Sequence, residues 1–391
     1  MHNKDYGIIK HMPFFSKFLN QDNHIALGVD IGSSAIKIVQ IRKKNGQAVL
    51  ETYGELALGP YINLSVGQAA ILPPEKIAQA LNDLMREKEV NITTKKCGVS
   101  IPFTSSLMSL VEMPDVSPKQ LAVMIPFEAR KYIPVPISEV MLDWSIIPKS
   151  EVRVSDSREF SAQEENSSGI EAKTPSSLAK VDVLVVAIHR ATIALYQDIV
   201  AKAGLEASFF EIEIFSTMRS VLDETTQPVM IMDMGAATTK LYVVERGIIR
   251  SSHTINRGSQ DITSTLSKSL GITLAHAEVM KRQNGVIGND KDFTNIIVLV
   301  LDYIFSEVNN TILSFEKKYN KAIAKVILVG GGSALKGLPE LAKNNFKTEV
   351  VSANPFSKVS TPAFLEKILQ ETGPEFAVAI GLALRKLAED E

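Results

Sequence analysis

Residues 29–37 read VDIGSSAIK, and residues 232–240 read MDMGAATTK. In each segment an apolar strand ends in Asp-x-Gly, passes through small residues and turns back into a second apolar strand. A tight turn centred on glycine brings the backbone close to a ligand, because glycine carries no Cβ. Successive backbone N–H groups in such a turn form a concave site for an anion. Two such hairpins in one chain predict a duplicated fold that closes on one nucleotide.

The polar side chains of the two hairpins are candidates for binding phosphate and a metal ion. Ser33 and Ser34 offer hydroxyl donors, and Lys37 follows on the returning strand, where a cation can reach phosphate oxygens. Asp30 and Asp233 suit Mg²⁺, held largely through water, if the hairpins face each other across a cleft. The alternative is that each aspartate only closes a β-turn. The hairpin candidates are Asp30, Gly32, Ser33, Ser34, Lys37, Asp233, Gly235, Ala236 and Thr238.

A third glycine-rich segment, Gly330-Gly331-Gly332-Ser333, lies between a predicted buried strand and a helical stretch. Backbone N–H groups at the start of a helix attract phosphate, and glycines admit a flat base or ribose close to the chain. A plain turn from strand to helix needs one glycine rather than three. The segment therefore predicts a nucleotide contact.

The composition excludes several classes of protein. The 391 residues are 45% hydrophobic, which excludes wholesale disorder and leaves room for two or three domains. The net charge of −2 gives no support to a nucleic-acid binder that works through bulk positive charge. Cys97 is the only cysteine, so an internal disulfide is impossible, and we expect this residue to be buried packing.

No segment of the sequence reads as a membrane span or a secretory signal, because the most apolar run, 296–301, is short and is followed by Asp302. We therefore expect a cytoplasmic protein. Residues 1–24 are predicted to be a flexible leader. Their basic and apolar residues leave a second interpretation open, a short amphipathic segment that lies on a membrane surface.

These segments resemble the actin-like ATPase superfamily, which includes actin, Hsp70, sugar kinases and bacterial FtsA. The two hairpins resemble its two phosphate loops, and residues 329–338 resemble its adenosine loop. Glu278 and Lys281 resemble the pair that brackets ribose and base in the FtsA branch. The resemblance implies a duplicated α/β fold of the actin-like (ribonuclease H-like) kind, with two lobes around a nucleotide cleft.

A closer resemblance is to the PilM family of type IV pilus assembly proteins, over residues 25 to 387. It rests on PFEARKYIP at 126–134 and EVMLDW at 139–144, together with EIEIFS at 211–216 and Arg219. Two departures are a longer, more polar loop at 150–180 and Glu211 where the family more often has Asp.

The resemblance implies a division into domains. The first lobe would combine residues 25–96, 191–227 and 374–391, and the second lobe would be residues 228–373. An inserted small α+β domain of the FtsA type would span residues 97–190 and carry the polar loop.

The resemblance also implies a function. ATP and Mg²⁺ would be the cofactors, Asp30 and Asp233 the metal-binding residues, and Glu213 the residue that orients a water near the γ-phosphate. Weak or no ATPase activity is expected. The inserted domain would bind the cytoplasmic tail of a PilN-like membrane protein, at the inner face of the cytoplasmic membrane. Other pilus platform proteins would be further partners, no nucleic acid is expected, and a homo-oligomer stays open.

Three alternatives remain at this stage. Phe127, Tyr132 and Ile133 could line the groove for the tail or be ordinary core residues. The chain could be an FtsA-like filament protein associated with the membrane. It could also be a small-molecule kinase of the same superfamily, although the sequence offers no substrate-site base beyond the acids of the nucleotide loops.

Overall fold

The computed structural model describes residues 24–147, 180–288 and 290–389. They form two compact units. The first unit contains residues 24–106 and 189–389, and the second unit lies within Leu107–Ile188. Residues 1–23 of the predicted leader and 150–179 of the predicted polar loop fall outside the described residues.

The described strands are β1 (Ile25–Ile31), β2 (Ala35–Lys44), β3 (Gln47–Ala57), β4 (Lys96–Ile101), β5 (Ser106–Pro114), β6 (Val140–Ile147), β7 (Lys180–His189), β8 (Glu206–Ile212), β9 (Val229–Met234), β10 (Thr239–Glu245), β11 (Ile248–Ile255), β12 (Lys325–Val329) and β13 (Glu349–Ser352). The described α-helices are α1 (Pro74–Arg86), α2 (Pro118–Ala129), α3 (Arg190–Lys202), α4 (Glu213–Val221), α5 (Ser259–Leu270), α6 (Leu274–Asn284), α7 (Lys291–Tyr319), α8 (Leu338–Asn345), α9 (Glu366–Thr372) and α10 (Ala377–Glu389).

Two sheets of the first unit have the same topology. The first lobe is built on the strand order β3-β2-β1-β4-β8, in which β1, β2 and β3 are antiparallel and β4 and β8 run parallel to β1. The second lobe is built on β11-β10-β9-β12-β13, with the same alternation of antiparallel and parallel neighbours. The predicted duplication is therefore present, and each lobe opens with one of the two predicted hairpins.

The core of the first lobe depends on a close approach between β1 and α10. A Cβ built on Gly28 would lie 1.9 Å from the carbonyl oxygen of Ala379, so only glycine fits on the strand beneath this helix. Gly381 faces α4 in the same way, with 1.9 Å from its ideal Cβ to the Ser216 carbonyl oxygen. Cys97 on β4 is fully buried and unpaired, as predicted.

The second lobe packs around α7. By length and composition α7 is the one described helix that could cross a membrane. Its apolar stripe is nevertheless part of the buried core of this lobe, where it packs with residues of β9, β10 and β12. The stripe consists of Phe293, Ile297, Leu301, Ile304, Phe305, Val308, Ile312 and Phe315.

The second unit is small and has its own core. Its sheet has the order β5-β7-β6, which leaves β5 and β6 as edge strands. The buried face of α2, with Leu121 and Ile125, packs in a cluster with Val183 of β7. A Ser-Pro start and a capping box formed by Ser117 and Gln120 fix the first turn of α2.

The start of this unit differs from the range 97–190 expected for the inserted domain. Strand β4 pairs with β1 and β8 in the sheet of the first lobe, so residues 97–101 belong to that lobe. The compact unit begins at Leu107. Apolar β-strands in succession carry no local signal that assigns each to a sheet, because pairing is a tertiary property.

Candidate functional site

The turns of the two hairpins are built in the same way. In the first hairpin Gly32 donates its N–H to the Ala35 carbonyl at 3.0 Å, and Asp30 pairs across the strands with Lys37. In the second hairpin Gly235 donates its N–H to the Thr238 carbonyl at 2.9 Å. Asp233 pairs across the strands with Lys240. Each hairpin therefore carries a carboxylate and an ammonium at corresponding positions.

The glycine cluster packs against the second hairpin. Gly330 has φ +84°, and a Cβ there would lie 2.4 Å from Asp233 Oδ1. A Cβ on Gly332 would lie 2.5 Å from Met234 Cγ. Two of the three glycines are thus needed for contact with the hairpin, whereas a Cβ on Gly331 would meet its nearest neighbour only at 3.5 Å. The prediction of a ligand contact stays open for Gly331, and packing explains the other two.

Three carboxylates, those of Asp30, Asp233 and Glu213, form an acidic centre between the hairpins. Glu213 lies at the N-terminus of α4, and its Oε1 accepts from Lys240 Nζ at 2.6 Å and from the Phe103 N–H at 2.6 Å. Lys240 Nζ also lies 3.6 Å from Asp233 Oδ2. The acidic centre thus joins residues of both lobes.

Burial perturbs the ionisation of this centre. Burial, with the Glu213 carboxylate, raises the pKa of Asp30 to about 6, although the Ser100 hydroxyl donates to Asp30 Oδ1 at 2.8 Å. Burial also raises the pKa of Asp233. For Lys240 burial acts in the opposite sense, but the Glu213 and Asp233 carboxylates hold its pKa above the ordinary value. Burial therefore outweighs the charges of Lys37 and Lys240, which act to lower the pKa of both aspartates.

A tyrosine hydroxyl is left unsatisfied next to these acids. Tyr242 follows Lys240 by two positions on β10, so both side chains lie on the same face of the strand. Its hydroxyl is buried and has no hydrogen-bond partner within the described part of the chain. Burial, with the charges of Glu213 and Asp233, raises the pKa of Tyr242 well above its usual range. A water or ligand oxygen in the cleft could satisfy this hydroxyl.

The lysine of the first hairpin has different neighbours. Lys37 Nζ lies 3.3 Å from Glu55 Oε1 on β3. Burial and the neighbouring Glu55 carboxyl raise the pKa of Glu375 to about 7, while the charges of Lys37 and Arg282 act to lower it. Glu375 lies in the short 3-10 helix that precedes α10. Lys37 is thus ion-paired with a second charged group, and its charge also acts to lower the pKa of Asp30.

The predicted ribose pair is engaged in an internal network. Glu278 Oε2 lies 2.7 Å from Lys281 Nζ, and its two oxygens also accept from Thr263 Oγ1 at 2.6 Å and Arg282 Nε at 2.7 Å. A Cβ on Gly67 would lie 2.6 Å from Glu278 Oε1, so the loop after β3 in the first lobe passes directly against this pair. The network holds both side chains at the interface of the two lobes.

The same loop contacts the first hairpin. Leu58 and Ala70 donate their N–H groups to the carbonyls of Ser34 and Ser33, each at 2.8 Å. The Ala69 N–H donates to Gln260 Oε1 of α5 at 3.0 Å. Ser33 and Ser34 therefore hold the loop through their carbonyl oxygens, which leaves their N–H groups and hydroxyls as the candidates for phosphate.

Glu211, the first residue of the family motif EIEIFS at 211–216, has a structural role. Its carboxylate accepts from Arg219 Nη1 and Nη2 at 2.8 Å and from Arg385 Nη1 at 2.9 Å, and it also accepts from the Ser216 hydroxyl. Burial opposes ionisation, but the two guanidinium groups hold the pKa of Glu211 below its ordinary value. This network fixes β8, α4 and α10 to one another and thereby positions Glu213.

The acids were tested as a magnesium site. Within residues 24–147, 180–288 and 290–389 no group of three or more His, Cys, Asp or Glu is arranged to hold a metal ion directly. Mg²⁺ keeps several waters and needs only one or two carboxylates. Asp30 fits this role, because its buried carboxylate accepts from a neutral hydroxyl, that of Ser100, while Lys37 Nζ pairs with Glu55. Asp233 fits less well, because the ammonium of Lys240 already stands beside it.

Sequence reasoning missed several residues of the cleft: Glu55, Ser100, Lys240, Tyr242 and Glu375. A signal was available for Lys240, which follows Asp233 at the same spacing as Lys37 follows Asp30. The other four are brought to the cleft by strand pairing and packing, for which a single sequence carries no local signal.

The comparison with protein families identifies the chain. The model of the family described as type IV pilus assembly protein PilM matches residues 28–162 and 169–387. This chain belongs to the PilM family. The match covers both hairpins, the glycine cluster and the second unit, so the resemblance noted from the sequence is confirmed.

Solved structures agree with the PilM assignment. A structure of a PilM–PilN type IV pilus biogenesis complex matches with a TM-score of 0.74 and 25% identity, over 93% of this chain and 98% of that one. MreB5 of Spiroplasma citri, bound to ADP, matches with a TM-score of 0.50 and 10% identity, over 94% and 98% of the two chains. The actin-like fold is therefore confirmed.

A curated relative supports the link between PilM and FtsA. The cell division protein FtsA of Neisseria meningitidis serogroup B is 24% identical over 325 residues, which cover 74% of this chain and 75% of the relative. The predicted relationship to the FtsA branch of the actin-like superfamily is confirmed.

Proposed function

We propose that this PilM-family chain is a nucleotide-binding adaptor of type IV pilus assembly that holds the cytoplasmic tail of a PilN-type membrane protein. The likeness to the PilM–PilN complex over almost the whole chain carries the proposal. The tail would keep this chain at the inner face of the cytoplasmic membrane. Membership of the PilM family favours the adaptor over the two alternatives considered from the sequence.

The second unit offers a surface that suits an extended peptide. Strand β5 lies at the edge of the sheet formed by the described strands of this unit, and a sheet edge presents backbone groups to which a peptide strand can add. A cavity of about 50 Å³ lies at the same strand and could take one small aliphatic side chain. It is lined by Leu107, Met108, Ser109, Ala129, Tyr132, Ile133 and Val185.

Exposed apolar side chains favour a partner on this unit. Phe127 is 63% exposed, Val123 is 65% exposed and Tyr132 is 48% exposed, whereas Ile133 is buried beneath them. Arg130 lies over the Phe127 ring at 5.4 Å, so the apolar area has a basic rim. Of the three residues left open in the sequence analysis, Phe127 and Tyr132 suit contact with the tail, and Ile133 forms the floor of the cavity.

The first unit would bind the nucleotide between the two hairpins. We assign phosphate contacts to the backbone and hydroxyl groups of Gly32, Ser33, Ser34, Gly235, Ala236 and Thr238, with charge from Lys37. We assign ribose and base contacts to Glu278, Lys281 and the segment Gly330–Ser333. The shared position of these groups between two lobes supports the assignment, because a ligand there contacts both lobes at once.

ATP is the nucleotide that we assign to this cleft, with Mg²⁺ as an accompanying ion. The ion would supply positive charge to the phosphates and would be held, mainly through water, from Asp30. Glu213 is the candidate catalytic residue. Its Oε1 already accepts from Lys240 and the Phe103 N–H, so this oxygen is occupied and poorly placed to orient a water. We therefore expect binding of ATP with slow or no hydrolysis.

The chain itself provides a route from the nucleotide to the tail. Glu213 accepts from the N–H of Phe103, which lies three residues before the first residue of β5. The Phe103 ring also packs edge-on against Tyr242 at 5.2 Å. A nucleotide that draws Glu213 or Tyr242 toward its phosphates would therefore pull on the segment that leads into the edge strand.

A binding experiment tests the adaptor function. A synthetic tail of a PilN-type protein is titrated into the full chain by fluorescence anisotropy, with and without ATP and Mg²⁺. We expect saturable binding that Tyr132→Asp weakens by about tenfold, since a charge replaces apolar contact at the cavity. Phe364→Asp is the matched control, because Phe364 is 81% exposed on the first unit and should leave tail binding unchanged. Absence of tail binding with and without ATP would refute the partner assignment.

A further inference from the structure

Lys240 lies at a place in the cleft where a nucleotide site commonly relies on a metal ion. Its ammonium is 2.6 Å from Glu213 Oε1 and 3.6 Å from Asp233 Oδ2, so it bridges acids that come from different lobes. The side chain is only 13% exposed. The position is set by the hairpin, because Lys240 is the cross-strand partner of Asp233.

The ammonium and a hydrated Mg²⁺ compete for the same acceptors. A hydrated magnesium ion needs carboxylate oxygens that can accept hydrogen bonds from its waters. Glu213 Oε1 already accepts two hydrogen bonds, and Asp233 stands beside a full positive charge. A lysine has three N–H donors, so after contacting both acids it can still donate to a phosphate oxygen.

The equivalent lysine of the first hairpin has a different ion-pair partner. Lys37 has the same register relative to Asp30, but it pairs with Glu55 on β3. The Glu55 side chain is 37% exposed, so that ion pair lies toward solvent and costs little to break. Lys240 is held by more deeply buried acids and stays between them.

We propose that Lys240 is a built-in counter-ion of the acidic centre, so that the cleft binds nucleotide phosphates with little help from a divalent cation. This inference rests on the proposed nucleotide binding and deepens it. It assigns to one side chain a share of the charge neutralisation that Mg²⁺ would otherwise provide. It also assigns different roles to the two aspartates. Asp30 can still bind a cation, whereas Asp233 has Lys240 as its counter-ion.

Calorimetry with a nucleotide that is not hydrolysed tests this proposal. AMP-PNP is titrated into the full chain in Mg²⁺ and again in EDTA. For the unaltered protein we expect the dissociation constant to change by less than about threefold between the two conditions. For Lys240→Met we expect a loss of about tenfold or more in EDTA and a much smaller loss in Mg²⁺, because the freed acids can then hold the ion.

Lys37→Met is the matched control, since it removes the equivalent lysine of the other hairpin. It should weaken binding by a similar factor in both conditions, because the ion pair of Lys37 is with Glu55 and the ion pair with Glu213 is made by Lys240. Circular dichroism verifies that both variants are folded. Binding of AMP-PNP by the unaltered protein in Mg²⁺ and in EDTA can overturn the proposal by itself. The proposal therefore stays testable even if a variant fails to fold.

The outcomes separate this inference from the proposed function. Binding that is strong in Mg²⁺ and at least tenfold weaker in EDTA overturns the role of Lys240 and leaves nucleotide binding intact. Equal losses for Lys240→Met in both conditions also overturn it. Absence of binding by the unaltered protein in Mg²⁺ refutes nucleotide binding itself.

Discussion

The two hairpins have the same turn and the same register, but their lysines have different ion-pair partners. Each carries an Asp that faces a Lys across the strands. In the first hairpin Lys37 pairs with Glu55, and Asp30 is supported by the Ser100 hydroxyl. In the second hairpin Lys240 turns into the acidic centre.

This difference teaches that a duplicated backbone does not fix a duplicated chemistry. The hairpin register places the two lysines equivalently, but the partner of each lysine comes from outside its hairpin. Lys37 pairs with Glu55 of β3, and Lys240 pairs with Glu213 of α4. The first hairpin therefore has a buried aspartate whose cross-strand lysine is ion-paired elsewhere, and the second has an aspartate beside a resident cation.

The largest expected effect concerns Gly330, which packs directly against Asp233. Gly330→Ala puts a methyl group 2.4 Å from Asp233 Oδ1, at a backbone position with φ +84° and ψ 163° that side chains avoid. We expect a loss of about 3 kcal/mol in the free energy of unfolding, measured by urea denaturation. Gly331→Ala is the control, with its nearest contact at 3.5 Å and an expected loss of under about 1 kcal/mol.

Equal losses for the two alanine variants would break this part of the comparison. They would mean that the second hairpin is not packed against the glycine cluster as described. A larger loss for Gly330→Ala than for Gly331→Ala would support the comparison. It would show that the residue packed against Asp233 must be glycine, whereas the residue that contacts Asp30 is Ser100.

An intermediate effect is expected from the charged group around Lys37. The pKa of Glu375 is raised by burial and by Glu55 from 4.5 to about 7. A carboxyl with a raised folded pKa contributes stability that is present below about pH 4.5 and is lost as the pH rises through about 7. Glu375→Gln should therefore stabilise the nucleotide-free protein at pH 8, by up to about 2 kcal/mol, and should change little at pH 4.5.

Thermal unfolding followed by circular dichroism at the two pH values measures this effect. A stabilisation that is the same at pH 8 and pH 4.5 would show that folding does not shift the pKa of Glu375. A loss of stability at pH 8 would show that its negative charge is needed by Lys37, and the first hairpin would then resemble the second more closely than described.

The smallest effect concerns the hydroxyl beside Asp30. Ser100 Oγ donates to Asp30 Oδ1 and accepts from the Ile31 N–H at 3.2 Å, in a buried site. Ser100→Ala should cost about 1 kcal/mol of unfolding free energy, since each lost hydrogen bond is partly replaced by relaxation or water. Urea denaturation measures this loss. A cost above about 3 kcal/mol would indicate that Asp30 depends on this hydroxyl as its main partner.

The parts of the fold and site that were predictable from sequence are those encoded locally. The Asp-x-Gly hairpins follow from their glycine turns, and family motifs pointed to the small second unit. The partners of Lys37 and Lys240 were not predictable, because Glu55 and Glu213 reach them through strand pairing and lobe packing. The pairing of β4 with β1 in the first lobe was not predictable for the same reason.

The glycine cluster illustrates the limit most clearly. Three successive glycines suggested contact with a ligand, yet Gly330 and Gly332 are small because the second hairpin lies against them. Sequence indicates that a close approach occurs at such a position, but it does not indicate whether a ligand or the protein itself approaches.

Hydrogen–deuterium exchange on addition of ATP tests most directly whether the two hairpins meet on one ligand. The account predicts that the backbone amides of 31–37, 234–240 and 330–338 become protected together, with the same dependence on ATP concentration. Protection of only one hairpin, or protection of the two hairpins at different ATP concentrations, would contradict a single shared nucleotide. No change in any of these segments at saturating ATP would contradict the cleft as a nucleotide site.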